Sequence, residues 1–343
     1  MNKRVTTMEE FAAVAGISRP TASKYFNDPE SVRPSTRQRI EQALSHYDYR
    51  PNFLAANLNR KSARILGVLM PHISDPYYTD LVRTIEADAL AEGYFTIALS
   101  SHGDPAHEAY AIDCLLAMNV AGVVAAPLGF ASDLDAFDRL RETVPVVLLD
   151  SRVDVDETFI GTDNRSGIGQ VVEYLVETGD TPVYFDMPHV NANSLERREA
   201  YLEAMEQAGL EPRFVADGNN YIGWDFERVA YEQATTLIES GTIRSGAVVC
   251  ANDRSAFGLL AAAYRLGLPV GRSRESVLRV AGHDNHHLSE YTCPALTTAA
   301  QDITGLGRAA LQALFEKAGV LTPSKQSSQD TILPARLIVR DSA

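Results

Sequence analysis

The stretch TMEEFAAVAGISRPTASKYFN, residues 7–27, decides how the first part of the chain folds. Thr7 stands three residues before Glu10, the spacing of a capping box in which each side chain satisfies a backbone N–H of the other. Phe11, Val14 and Ala15 then recur at helical spacing and read as a buried stripe. Gly16 supplies a tight turn and Ile17 anchors it inside. Ser18 caps a second helix whose Ala22, Tyr25 and Phe26 face inward, and Pro20 falls in its first turn, where a missing N–H costs little. This packing leaves Arg19, Pro20, Thr21 and Lys24 on the outer face near the start of the second helix. A helix lying in a major groove presents its base-reading residues there, and a helical hairpin with a solvated charged face has the same pattern. Arg19 and Lys24 suit guanine, while Pro20 offers only apolar contact.

A third helix is expected over Pro34–Tyr47, carrying Arg37 and Arg39, and YRPNFLAANL follows at residues 49–58. The net charge of −14 looks wrong for a partner of nucleic acid until it is divided. Residues 1–64 hold eleven Lys/Arg against six Asp/Glu, and the rest of the chain holds 20 against 39. A basic head on an acidic body suits a protein with one end facing a polyanion and the remainder kept soluble.

From Ile65 onward short apolar runs alternate with longer amphipathic stretches. The runs are Ile65–Met70, Phe95–Ser100, Gly122–Ala126, Val144–Leu149, Val183–Met187, Ala247–Ala251 and Val277–Gly282, with a last strand near Ile332–Val339. Several of the intervening helices stop at glycine, as at Gly93, Gly179, Gly209 and Gly267. Such repeats imply parallel sheets covered by helices on both faces, in two halves that break near Asp150–Asp163. The fold class is therefore α/β, an all-α helix-turn-helix head followed by two doubly wound parallel-sheet lobes. Open parallel sheets bind ligands beyond the carboxyl ends of their strands. The residues there are polar: Ser74-Asp75, Ser100-Ser101, Asp150, Asn252-Asp253, Asp284 and Gln301. Asp253 begins a helix and is expected to cap it rather than to touch ligand.

With these segments in place, the chain resembles the lactose-repressor (LacI/GalR) family from Thr7 to its end. The motifs are Ala15-Gly16-Ile17-Ser18, Thr21-x-Ser23-Lys24, Asn27, Tyr49-x-Pro51-Asn52 and Leu58. The resemblance implies DNA contacts from Thr7, Ser18, Arg19, Pro20, Thr21, Ser23, Lys24 and Asn27, with Asn52, Ala55 and Leu58 in a hinge helix. Leu58 matches the leucine that wedges into the minor groove and kinks it; the alternative is an interdomain packing residue. Two departures stand out: Arg33 lies where Ser or Thr often caps the third helix, and Arg19-Pro20 is an uncommon base-reading pair.

The resemblance further implies a periplasmic-binding-protein-like effector domain that closes on a small molecule. Tyr77 and Tyr78 match paired aromatics that stack on a sugar ring, with Tyr77 at a dimer interface as the alternative. Asp75 and Asp150 match polar groups of the first lobe, Arg197 an anchoring arginine, and Asn252 and Asp284 polar residues of the second. Gln301 matches the lobe crossover, and Tyr221 or Trp224 is expected to add a wall. Aromatics, carboxylates, amides and a guanidinium together suit a sugar or sugar derivative, with a purine or other non-sugar effector as the alternative.

The expected domains are 1–50 (head), 51–64 (hinge helix and linker), 65–162 with 288–320 (first lobe) and 163–287 with 321–343 (second lobe). The expected function is a ligand-responsive repressor, binding double-stranded, pseudo-palindromic operator DNA as a homodimer; no heptad tail follows the last strand. A sugar-binding receptor without a DNA role is the reading from another class. The acidic N-terminus lacks the apolar core of a signal peptide and no run spans a bilayer, so the chain is expected in the cytoplasm, away from membranes. Cys114, Cys250 and Cys293 lie far apart without CxxC pairing, as reduced thiols would. No phosphate-loop lysine or nucleophile elbow occurs, so neither an enzyme nor a cofactor is expected. The run His283-Asp284-Asn285-His286-His287 has the residue types of a zinc site, but consecutive residues seldom converge on one ion, and no metal is expected.

Overall fold

The structure, a computed structural model, describes residues 3–51, 63–216, 218, 223–322 and 330–343, and two compact units meet between Ala63 and Arg64. In the first unit a two-residue parallel pair, β1 (Lys3–Arg4) and β2 (Tyr47–Asp48), ties together the ends of a three-helix head. Helices α1 (Met8–Ala15), α2 (Arg19–Asn27) and α3 (Pro34–His46) enclose Phe11, Ala22 and Ile40, and the Tyr49 ring stacks on Phe11 at 4.5 Å between centroids. The capping box forms as its spacing requires: Thr7 Oγ1 accepts the Glu10 N–H at 3.2 Å and the Glu10 carboxylate accepts the Thr7 N–H at 3.3 Å. Gly16 takes φ +64°, a left-handed turn that a side chain resists, and a Cβ there would also meet the Arg39 guanidinium at 2.6 Å. Arg39 is thus a structural group of the head. It donates to the carbonyls of Ala15 (3.2 Å) and Gly16, satisfying the open end of α1.

One helical expectation is corrected here. Val14 is 42% exposed, and Ala12 takes its place in the core beside Phe11 and Ala15. The helices that cover α1 meet the side bearing residues 11, 12 and 15, and Val14 lies beyond Phe11 on the open side.

The second unit carries two six-stranded sheets. The first runs β13 (Thr331–Pro334), β7 (Phe159–Asp163), β6 (Val146–Leu149), β5 (Gly122–Ala125), β3 (Ile65–Met70), β4 (Phe95–Ser100), all parallel. The second runs β14 (Arg336–Ile338), β12 (Thr297–Ala300), β11 (Leu278–Asp284), β10 (Gly246–Cys250), β8 (Val183–Phe185), β9 (Phe214–Ala216), with β14 alone antiparallel. Helices α4 (Pro76–Ala91) and α11 (Ile303–Lys317) pack together on the first sheet, and α5 (Pro105–Ala117) pairs with α6 (Leu134–Thr143). On the second, α7 (Asn164–Glu177) pairs with α8 (Ala192–Gln207), and α9 (Phe226–Glu239) with α10 (Asp253–Arg265). Every residue of β3 is buried, because a parallel strand between two helix layers has no solvent face.

The lobe boundaries differ from the expected ones. Thr297–Ala300 hydrogen-bonds to Ala281–Asp284 in the second sheet, so the return to the first lobe begins at Gln301 rather than at 288. The expected last strand splits at Ala335, with Thr331–Pro334 joining β7 in the first sheet and Arg336–Ile338 joining β12 in the second. Proline 334 cannot donate to a ladder, which suits it to the end of an edge strand and ends the run there. The chain therefore passes between lobes three times, after Asp163, after Ala300 and at Ala335.

Thr7→Ala removes the cap of α1 and should lower head stability by about 1 kcal/mol. Hydrogen exchange of the Met8–Ala15 amides should then speed up by about five-fold while the sheets of the second unit stay unchanged. Unaltered exchange in α1 would show that the box contributes nothing.

Candidate functional site

In the head, Ser18 Oγ accepts the Thr21 N–H at 3.3 Å and lies 2.8 Å from Thr21 Oγ1, so both hydroxyls serve the start of α2. Arg19, Pro20 and Lys24 are exposed, and Ser23 and Thr21 are half-buried. Arg19 Nε sits 2.5 Å from Glu9 on α1, with both side chains largely open to water. Arg37 pairs with Glu30, and Arg33 begins α3 without a side-chain cap. The outer face of α2 thus presents two cations and a proline. Asn52, Ala55 and Leu58 lie outside the described residues, as does the side chain of Asn27.

In the second unit, side chains from both lobes converge on one cleft. Asp75 caps α4, accepting the Tyr77 N–H at 3.0 Å, which fixes Tyr77 and Tyr78 in the first turn. Both phenols are buried, and both donate to Asp150 at the end of β6, Tyr77 to Oδ1 at 3.0 Å and Tyr78 to Oδ2 at 2.8 Å. From the second lobe, Asn193 Nδ2 donates to Asp150 O at 3.0 Å and to its Oδ1 at 3.2 Å. Arg197, on α8, is 4% exposed and engages each nitrogen of its fork, Nε on Asn164 Oδ1 (2.8 Å), Nη1 on the Ala251 carbonyl (3.0 Å) and Nη2 on Asp284 Oδ1 (2.9 Å), which leaves an N–H on each Nη. Gln301 lies where the chain returns to the first lobe. Its Nε2 donates to Asp284 at 2.8 Å, and its Oε1 accepts from Tyr77 at 3.2 Å and Thr162 at 2.5 Å.

The walls are Trp224, Phe226, Met187 and Val190, with Asn191 and Asn252 among them. The free space between all these groups, open solvent at its mouth included, is about 410 Å³. Asn252 caps α10 through Oδ1, accepting the Ser255 N–H at 2.8 Å, and points Nδ2 at Met187 Sδ. Asp253 is therefore not the cap, correcting the expectation from position alone. It is buried and takes the His286 N–H at 3.0 Å, Ser289 Oγ at 2.5 Å and Thr298 Oγ1 at 2.6 Å.

Electrostatics separate the two deep carboxylates. Burial pushes Asp150 up to about 6, because hydroxyl and amide donors stabilise its charge less than water does. Burial would also push Asp284 up, yet the Arg197 guanidinium and His283 hold it well below the usual carboxylate range. His283, buried against Arg197, is pushed down to about 4. The histidine run does not converge: His283 Nδ1 faces Asp284 and His286 Nε2 faces Asp75, each at 3.1 Å. Among the described residues no group of three or more His, Cys, Asp and Glu side chains has metal-binding geometry.

Of the expected cleft residues, Asp75, Tyr77, Tyr78, Asp150, Arg197, Trp224, Asn252, Asp284 and Gln301 all line this space, and Tyr221 lies outside the described residues. The sequence reading missed Asn191, Asn193 and Arg254. The first two follow β8 and are polar residues beyond a strand end, the same signal that marked Asp150. Arg254 carried no such signal, since it stands one residue inside a helix.

Comparison with known proteins follows the same division. The family described as "Bacterial regulatory proteins, lacI family" matches residues 7–52, and the "Periplasmic binding protein-like domain" matches residues 172–343. The transcriptional repressor CytR of Escherichia coli is 28% identical over 98% of this chain and 96% of its own. The ribose operon repressor of the same species is 27% identical over 99% of this chain and 100% of its own. Among solved structures, a lac repressor dimer bound to operator and an anti-inducer superposes with a TM-score of 0.81 at 24% identity over 99% of each chain. A regulator of Alkaliphilus metalliredigens, complexed with D-xylulofuranose, does so at 0.69 and 21% identity, over 82% of this chain and 99% of its own. The head that reads as a helix-turn-helix and the two-lobed body with its polar cleft are the two halves of one known architecture, and the chain belongs to the lacI family of bacterial regulatory proteins.

Proposed function

We propose that this protein is a cytoplasmic repressor that binds a pseudo-palindromic operator as a homodimer and releases it when an uncharged sugar closes the cleft. The head supplies the DNA-reading face through Arg19, Pro20, Thr21 and Lys24, with Thr7, Ser18, Ser23 and Asn27 supporting it. The hinge residues Asn52, Ala55 and Leu58 join it on DNA, with Leu58 as the minor-groove wedge. The observation that carries the effector class is the charge balance of the cleft. Three carboxylates, Asp75, Asp150 and Asp284, face two guanidiniums, and each guanidinium is already paired: Arg197 with Asp284, Arg254 with Asp75 and Glu227. A phosphate or carboxylate entering there would meet unpaired negative charge. A neutral polyol instead offers Asp150 hydroxyl donors and takes donors from Asn193, Arg197 and Gln301, while its ring lies against Trp224 and Phe226. The relatives whose names speak of ribose and of D-xylulofuranose support a ligand of monosaccharide size.

A thermal-shift screen of D-ribose, D-xylulose, D-glucose, their phosphates and acids, cytidine and adenine tests this directly. A neutral sugar should raise the melting temperature, because a ligand confined to the folded state stabilises it by mass action. Stabilisation by phosphates, acids or nucleobases alone would overturn the effector class.

Three outcomes follow for the two sites. Arg197→Lys keeps a charge beside Asp284 but loses the fork, and should weaken binding of the sugar found in that screen at least ten-fold by calorimetry; wild-type affinity would place the anchor elsewhere. Leu58→Gly should weaken binding to an operator selected from random duplexes several-fold and leave sugar binding intact; unchanged operator affinity would refute the wedge. Asp150 accepts sugar hydroxyls more strongly when ionised, so affinity should fall as pH drops through about 6, and Asp150→Asn should flatten that dependence. The stability sign is opposite. With a folded value raised above the unfolded one, ionising Asp150 costs folding free energy that is fully present above about 6 and vanishes below the ordinary carboxylate range.

A further inference from the structure

At the mouth of the cleft a second charged cluster joins the lobes, and it involves none of the groups assigned to sugar hydroxyls above. Arg254, in the first turn of α10 on the second lobe, donates through Nη1 to Asp75 Oδ2 of the first lobe at 3.0 Å. Its other edge forks onto Glu227 of α9, Nε to Oε1 at 2.7 Å and Nη2 to Oε2 at 2.5 Å. His286, also of the second lobe, places Nε2 3.1 Å from Asp75 Oδ1. The Arg254 and Asp75 side chains are 9% and 7% exposed, whereas Glu227 is 42% exposed.

Breaking a buried ion pair ordinarily strands a charge and costs several kcal/mol. Here neither partner would be stranded. If the lobes parted, Arg254 would keep its bidentate bond to Glu227 within its own lobe. Asp75 would keep the Tyr77 N–H and the positive end of α4, and both would regain water. The pair is strong enough to matter while closed and cheap to break, the property a reversible contact needs.

We propose that the Asp75–Arg254 pair is an interlobe latch that biases the cleft toward closure before any ligand arrives, with Glu227 as the competing partner that lets it open. Resting on the effector reading above, the latch sets how much of the closing free energy the sugar itself must supply, and hence the effector concentration at which the regulator responds.

The chain carries its own reporter. Trp224, the single tryptophan, comes from the second lobe and lies against the first, 6.4 Å from the His72 ring between centroids and close enough to Gly103 that a Cβ there would sit 2.7 Å from Trp224 Cδ1. It is 8% exposed when the lobes meet. Acrylamide quenching and the emission maximum of Trp224 therefore read opening in the full chain with no ligand added. Arg254→Gln and Asp75→Asn should each raise the quenching constant at least two-fold and shift emission to the red. The double variant should go no further than Asp75→Asn alone, because Asp75→Asn already removes the Arg254 ion pair, together with the His286 contact. Asparagine is itself a good cap, so Asp75→Asn leaves α4 intact, and it lies on the lobe opposite Trp224, so it cannot act through local packing around Phe226. Glu227→Gln should leave quenching at or below the wild-type level. Wild-type quenching in Asp75→Asn, or an equal rise in Glu227→Gln and Arg254→Gln, would overturn the latch and make Arg254 an anchor of the second lobe. Since no sugar is present, either result leaves the effector reading untouched, and a sugar screen without a hit leaves the latch untouched.

Discussion

Two carboxylates buried at the carboxyl ends of matching strands govern the second unit. Asp150 directly follows β6 and Asp284 ends β11, and each strand stands third from the same side in its sheet. Both residues take positive φ, 65° and 126°, a region that costs a non-glycine residue about 1–3 kcal/mol and persists only where surroundings dictate it. Surroundings dictate it here because a buried carboxylate must find donors. Asp150 finds two phenols from its own lobe and an amide from the other; Asp284 finds the Arg197 guanidinium and the Gln301 amide. The same strand position in two related lobes thus holds one carboxylate that titrates near neutrality and one that stays ionised.

That asymmetry explains how a single cleft can join two lobes without fusing them. Asp284 and Arg197 belong to the same lobe, so their strong mutual attraction rigidifies it and adds nothing to closure. Apart from the contacts of Arg254 and His286 with Asp75, the bonds that cross are weaker, hydroxyl or amide to carboxylate, each worth about 0.5–1.5 kcal/mol net, or somewhat more where the carboxylate is ionised. A ligand that presents hydroxyls would replace bonds of this kind with others of the same kind, so the exchange would be nearly balanced and its outcome would depend on fit. A regulator needs such a balance: a coupling of a few kcal/mol between two sites is enough, and an interlobe ion pair is compatible with it only where, as for Arg254 with Glu227, a competing partner in the same lobe lets it open.

Much of this was legible in the sequence, and the failures have physical causes. Apolar runs bounded by helices that end at Gly93, Gly179, Gly209 and Gly267 mark most of the parallel strands, and all four glycines take positive φ. Polar residues just beyond those strands mark the cleft, because side chains at strand ends have nowhere else to point. What stayed hidden were the lobe crossings. Thr297–Ala300 is small and half polar, and nothing in four residues says which sheet it joins; only its pairing with β11 does. The run from Thr331 to Ile338 reads as one strand although it serves two sheets, since periodicity is blind to a break between Pro334 and Arg336. Arg254 and Glu227 were invisible for a related reason: helix residues declare a face, and the partner across a cleft is a tertiary fact.

Gln301 shows why the position of a crossing matters. It is the first residue after β12, where the chain leaves the second lobe, and its amide spans the boundary with a direction. The nitrogen end faces Asp284 and can only donate; the oxygen end faces Tyr77 and Thr162 and can only accept. A carboxylate there would repel Asp284, and an apolar side chain would leave buried oxygen and hydroxyl groups without partners at the point where the two lobes share backbone. An amide is the side chain that satisfies both ends at once. Tyr77 has a single hydroxyl proton to share between Asp150 and Gln301, so Gln301 links the two strand-end carboxylates through one phenol, and a change in bonding at Asp150 reaches Asp284 as well. The two strand-end carboxylates are therefore coupled through one amide, and that amide sits on a segment of chain connecting the lobes.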